Sequence, residues 1–120
     1  MTVTPHDLAE TLRRRYRRLA VEEDQERARI HRVLVSAVEA LDRELRGARL
    51  WLIGSLAHGG WGVRSDLDLV VQGLDRRREL ALWRALSERL GVPVDLMRLE
   101  DLPATFQARV RAEGKLLHEP

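Results

Sequence analysis

The sequence predicts an α/β fold: a small mixed sheet of three principal strands plus an edge strand, helices packed on it, and an added N-terminal helical arm. Three observations carry this. Leu50–Ile53 is a short apolar run that a Gly-Ser pair ends, and Asp66–Val71 (D-L-D-L-V-V) follows as a second run with period-two alternation. V-P-V-D-L-M at 92–97 is a third run of the same kind. The segments between and around them have helical periodicity with recognisable starts and stops.

Residues 4–20 read as a helix. Thr4 is a good N-cap, Pro5 suits the first helical position, and Asp7 completes a T-x-x-D box. Leu8, Leu12, Tyr16 and Leu19 recur at helical spacing as one apolar stripe. A second helix is expected from about Asp24 to Leu45, with Ile30, Val33, Leu34, Ala37, Val38, Leu41 and Leu45 on one face and Gly47 at its end. No Gly or Pro interrupts 6–46, so one long rod is the alternative; Val21–Asp24 is the expected break, because the apolar phase is poor there and Asp24 is able to cap. After the second strand, Gln72-Gly73 turns the chain. Asp75 opens a helix to about Leu90 that Gly91 stops, with Leu80, Trp83, Leu86 and Leu90 expected to face the sheet. The third strand spans Val92–Leu99. Pro103 starts a last helix with a Leu102, Phe106, Val110 ladder, Gly114 ends it, and Lys115–His118 is a short edge strand.

A length of 120 residues fits one domain with a modest core. Hydrophobic content of 44% is ordinary for a globular chain, and 33% charged is high. Arginine supplies nearly all the positive charge, Lys115 being the only lysine. With no cysteine, neither a disulfide framework nor a thiolate metal site is available. No apolar run approaches the ~20 residues of a membrane span, and the N-terminus lacks a signal-peptide pattern, so no membrane role is expected and the expected location is cytoplasmic. A net charge of +2 is too small to imply nucleic-acid binding. The run Arg13-Arg14-Arg15-Tyr16-Arg17-Arg18 reads first as a solvated helix face, balanced by Glu22, Glu23, Asp24 and Glu26, and next as a surface for an acidic partner, ahead of nucleic acid.

The chemistry concentrates between Gly54 and Asp95. Strand alternation points Asp66 and Asp68 the same way and Leu67 and Leu69 into a core. Two carboxylates roughly 7 Å apart at Cα are able to converge on one hard cation. Mg²⁺ suits them, because it takes one or two carboxylates and completes its shell with waters and substrate phosphates. Gly54 has no side chain to keep a phosphate from the backbone, and Ser55 offers a hydroxyl near an expected helix start, where anions are favoured. Asp95 stands inside an apolar strand, where burying a charge is costly unless something uses it. Beside two metal-binding acids, it is suited to hold a second metal or accept a proton; a rim salt bridge is the plainer reading. In the intervening loop, His58 reads equally as a conditional cation, since histidine is the side chain that ordinarily changes charge near neutral pH, or as a surface histidine with no role, and Arg64 is an alternative phosphate contact. Trp61, among three glycines, has three readings: packed on the core, docked on a partner protein, or stacked on a base.

The pattern Gly54-Ser55, ten residues, then Asp66-x-Asp68 has chance odds on the order of one in a thousand in a chain this short. It is the signature of the polymerase-β-like nucleotidyltransferases. The chain resembles the minimal nucleotidyltransferases (MNT), often encoded beside a HEPN-domain protein. V-P-V-D-L-M at 92–97 is similar to the family's third strand with its third acid, Asp95. D-L-P-A-T-F-Q-A-R-V-R-A-E-G-K-L-L-H at 101–118 is similar to its closing helix and final strand. The likeness covers roughly 48–118. It divides the chain into an N-terminal helical extension, 1–46, outside the resemblance, and a nucleotidyltransferase domain, 47–120, in one compact unit overall. Where the family commonly reads G-S-x-A-R-G, this chain has Ala57 and Gly59 in register but His58 at the arginine position.

The resemblance implies a polymerase-β-like nucleotidyltransferase fold and transfer of AMP from ATP, or another nucleoside triphosphate, to a hydroxyl. Mg²⁺ or Mn²⁺ is implied at Asp66 and Asp68 with Asp95 as third acid, and Gly54, Ser55, Arg64 and His58 at the nucleotide. The implied acceptor is a tyrosine of a HEPN toxin, which makes the protein an antitoxin acting by AMPylation. Two alternatives stay open: an antitoxin that acts by binding alone, and a small-molecule enzyme of the aminoglycoside nucleotidyltransferase kind. Nucleic acid is not expected as a partner, and a homo-oligomer is left open. Arg111 and His118, with six residues between them, fit the R-x(4–6)-H pattern of HEPN ribonucleases, but Gly114 breaks the segment and the match reads as chance.

Overall fold

A computed structural model describes residues 2–54 and 67–120. Its first element is a single helix, α1, Pro5–Ala40. The start is as the sequence predicts: Oγ1 of Thr4 accepts from the Asp7 N–H, and the Asp7 carboxylate accepts from the Thr4 N–H, closing a capping box. The expected break at Val21–Asp24 does not occur. Asp24 caps nothing there; its carboxylate pairs with Arg27 at 2.6 Å, one turn on, and Glu26 pairs with Arg29 at 2.6 Å. With good helix formers and no Gly or Pro to stop it, the helix runs through. It ends earlier than expected, and 41–47 form turns before the first strand.

The sheet has four strands in the order β3-β2-β1-β4. β1 is Arg49–Ile53, β2 Leu67–Gln72, β3 Val94–Arg98 and β4 Lys115–His118. β1 pairs antiparallel with β2 and with β4, and β2 pairs parallel with β3. A parallel neighbour needs a long crossover, here made by helix α2, Arg76–Leu90. Asp75 caps α2 through its carboxylate on the Arg78 N–H, and Gly91 closes it at φ +65°. A 3₁₀ turn at Leu99–Asp101 and helix α3, Ala104–Glu113, lead to β4.

Alternation divides the sheet into two faces. Leu50, Leu52, Leu67, Leu69 and Val71 pack with Ile30, Leu34, Ala37 and Val38 of α1 and with Leu82, Leu86 and Leu90 of α2. This core therefore crosses the 46/47 boundary. Trp51, Val70 and Leu99 lie on the other face against Val110 of α3. Two apolar faces differ from the expected ones. In α2 the buried ladder is Leu82-Leu86-Leu90, while Leu80 and Trp83 are 46% and 40% exposed. Trp83 lies at the margin, its indole N–H donating to the Val94 carbonyl at 2.9 Å. In α3 only Val110 is buried, and Phe106 is 54% exposed.

The first half of α1 has no cover among the described residues. Leu8, Leu12, Tyr16 and Leu19 are all exposed. A 36-residue helix is about 54 Å long, which accounts for the molecule's 66 × 31 × 18 Å extents. Its second half is tied to the sheet by more than apolar packing: Lys115 Nζ of β4 lies 2.7 Å from His31 Nε2. Burial, and after it the Lys115 charge, hold the His31 imidazole below the usual histidine range.

Candidate functional site

Strand β2 turns Leu67, Leu69 and Val71 to the main core and Asp68 and Val70 to the face of α3. The register places Ile53 of β1 and Asp95 of β3 on either side of Asp68. Side chains paired in register on parallel strands share a face, with backbones about 4.8 Å apart. Asp68, half-buried, and Asp95, exposed, therefore stand side by side on the sheet face opposite the main core. The exposure of Asp95 corrects one step of the sequence argument: this strand does not bury the charge, so no burial cost has to be offset.

Gly54, the residue after β1, completes the arrangement. Its φ is +77°, and a Cβ built there would lie 2.8 Å from Oδ2 of Asp68. Only glycine avoids both the left-handed strain and the collision. The sequence gives Gly54 a place beside phosphate, and the backbone adds a second constraint, the closeness of the Asp68 carboxylate to any side chain there. Ser55, His58, Trp61, Arg64 and Asp66 lie outside the described residues, as does the nucleotide-loop geometry expected of them.

Asp68 and Asp95 are hard oxygen donors on neighbouring strands, and one or two carboxylates are what Mg²⁺ takes from a protein. Among the described residues no three His, Cys, Asp or Glu side chains cluster tightly enough to hold a metal. A pair of described acids, with Asp66 immediately before β2, suits a cation that also draws ligands from its substrate.

Sequence reasoning missed a pocket of about 230 Å³ beside Gly54, lined by Ile53, Gly54, Phe106, Arg109, Val110, Glu113 and Gly114. The only signal for it was Phe106, which reads equally well as core in an i, i+4 ladder. Also missed was an ion network at the end of β3, where Arg98 meets Glu100 and Asp101, and Arg76 reaches Asp101 at 3.1 Å. Arg98 also donates from Nε to the Leu74 carbonyl, so this network fastens the β3 end to the start of α2. Arg111 and His118 fall on α3 and β4, either side of Gly114, so the pair is not on one helix.

Residues 38–120 match the family model described as Polymerase beta, Nucleotidyltransferase. None of the curated proteins matches the chain by sequence. Among solved structures, a chain assigned to the minimal nucleotidyltransferases is 30% identical over 75% of this chain and 90% of its own, with a TM-score of 0.59. A chain of a toxin–antitoxin crystal structure with AMP-PNP is 25% identical over 72% of this chain and 73% of its own, with a TM-score of 0.60. A chain from a complex of tri-AMPylated Shewanella oneidensis HEPN toxin with MNT antitoxin is 21% identical over 76% and 73%, with a TM-score of 0.56, a likeness of fold. The four-stranded mixed sheet with its flanking helices is thus the polymerase-β-like nucleotidyltransferase fold that the sequence predicts. No helix among the described residues is long and apolar enough to cross a membrane.

Proposed function

The chain belongs to the polymerase-β nucleotidyltransferase family, and on that premise we propose that it transfers AMP from ATP to a tyrosine hydroxyl of a HEPN toxin, as that toxin's antitoxin. The observation that carries the reading is the placement of Asp68 beside Asp95 on one sheet face, with Gly54 against Asp68. In the reaction the acceptor oxygen bonds to the α-phosphorus, the bond from that phosphorus to the β-bridging oxygen breaks, and pyrophosphate leaves. Asp95, exposed on the outer strand of the pair, takes the hydroxyl proton. Asp66 and Asp68 would hold Mg²⁺ or Mn²⁺, which when bound neutralises phosphate charge. Gly54 keeps the approach to Asp68 open. Ser55, with Arg64 and His58 as further contacts, holds the β- and γ-phosphates.

A protein acceptor fits the surface. Small ligands usually need a concave pocket that buries most of them, and Asp95 is exposed on an open strand. The bare half of α1 presents Leu8, Leu12, Tyr16 and Leu19 beside five arginines between 13 and 18. Apolar anchors with surrounding charge are the features of a docking face. The neighbours crystallised as toxin–antitoxin complexes, one of them with AMP-PNP, support the same partner class.

That exposed stripe also favours a second reading, in which binding alone neutralises the toxin. One experiment separates the two: purified HEPN partner, ATP and Mg²⁺ are mixed with the chain, and the partner's intact mass is measured. Gain of one or more AMP units, abolished by Asp66→Asn, is the expected result. Tight binding and neutralisation with no mass change, unaltered by Asp66→Asn, would establish the binding-only antitoxin instead.

A further inference from the structure

The pocket beside Gly54 is lined by neither Asp68 nor Asp95, but it shares Gly54 with the approach to the Asp68 carboxylate. Its floor is apolar, from Ile53 at the end of β1 and Val110 of α3, and Phe106 and Arg109 stand on its wall with Glu113. Phe106 is 54% exposed, a large ring kept at the surface where the fold makes little use of it. Gly54 belongs both to this wall and to the contact with the Asp68 carboxylate. A molecule whose phosphates lie at Asp68 therefore reaches the pocket within a short distance.

We propose that this pocket seats the nucleobase of the nucleoside triphosphate, with the base stacked on Phe106 and Arg109 over its other face or edge. The proposal rests on the nucleotidyl-transfer reading and adds to it which residues hold the nucleoside end. The size fits one ring system: drug-sized ligands occupy about 300–1,000 Å³, so a pocket of about 230 Å³ takes a base and leaves the sugar and phosphates outside. The lining fits as well. Aromatic rings stack on any base face, and a guanidinium adds cation–π attraction. Arg109 already has a carboxylate neighbour in Glu113, 3.7 Å away, which holds it at the rim. Topology separates this seat from the acceptor's. With the strand order β3-β2-β1, Asp95 is two strands from Gly54, so a hydroxyl that gives its proton to Asp95 approaches from the other side. The acceptor ring and the base then flank the α-phosphate rather than compete for one pocket.

The test is calorimetric titration of the full chain with ATP and, separately, with tripolyphosphate, both with Mg²⁺. The variants are Phe106→Ala, Phe106→Trp and Arg109→Ala. Phe106→Ala should weaken ATP about tenfold, in the range of one lost base stack, and leave tripolyphosphate unchanged. Phe106→Trp should restore ATP affinity, and Arg109→Ala should weaken ATP more than tripolyphosphate. Unchanged ATP affinity in Phe106→Ala, or equal weakening of both ligands, would overturn the assignment. A wild-type chain that binds tripolyphosphate and ATP equally would also overturn it while sparing the transfer reading. A wild-type chain that binds neither defeats the transfer reading itself and the base seat with it.

Discussion

Replacing Gly54 by alanine separates two effects that the structure superimposes at one residue. The backbone effect comes from φ +77°: a side chain in the left-handed region costs about 1–2 kcal/mol. For a domain of this size that lowers Tm by about 4–8 °C. The contact effect is specific to the site. The new Cβ would start 2.8 Å from Oδ2 of Asp68, and ordinary contact begins at 3.4 Å. The carboxylate must therefore withdraw by about 0.6 Å, more than the ~0.5 Å within which a functional group must be held. Gly91→Ala is the control, because Gly91 has φ +65° and nothing within 4 Å of an added Cβ. Both variants should lose similar stability in thermal melts. In calorimetry with ATP and Mg²⁺, Gly54→Ala should weaken binding about tenfold or more, and Gly91→Ala should bind as wild type does. Equal affinities for Gly54→Ala and wild type, or equal losses in the two variants, would refute the role given to the Gly54–Asp68 contact.

Three further outcomes follow from the packing and the acids. Leu82→Ala should cost about 2–5 kcal/mol in denaturant unfolding as a large-to-small core change, and Leu80→Ala, at an exposed position, within about 0.5 kcal/mol; the reverse order would contradict the observed phase of α2. His31 is held below its ordinary value near 6.5, so the unfolded chain binds the proton more readily. Stability should be full above that value and fall as pH drops through the lowered one; His31→Gln should flatten the fall between pH 7 and 5.5, and parallel curves for the two proteins would exclude His31 as its source. Asp95→Asn should slow transfer by a factor of about 10² or more, in the range of a lost general base, while ATP binding changes little; a wild-type transfer rate would return Asp95 to a structural role.

How much of this was legible in the sequence depended on whether the signal was local. Thr4, Pro5 and Asp7 specify a helix start by their own hydrogen bonds, and Asp75 and Gly91 bracket α2 in the same way. The alternation in D-L-D-L-V-V assigns Leu67 and Leu69 to the core without help from the rest of the chain. What the sequence left uncertain was decided by neighbours. Asp24 is a good cap in isolation and a good partner for Arg27 within a helix, and only the continuing helix selects between them. Leu80 and Leu82 are both apolar, and the rotation of α2 on the sheet chooses Leu82. The strand pairing that puts Asp95 beside Asp68 joins residues 27 apart, and no local pattern contains it. The same is true of the Gly54 contact and of the pocket, which unites the end of β1 with one side of α3.

The proposed metal–nucleotide site is tested most directly by titrating ATP into the wild-type chain and into Asp68→Asn, with Mg²⁺ and with a chelator. Asp68→Asn keeps the side chain's size at a half-buried position, so a thermal melt should show the variant folded. Wild type should bind ATP tightly only with Mg²⁺, and Asp68→Asn should bind weakly with no response to the metal. Equal ATP affinity in the two proteins with Mg²⁺ present would contradict the site.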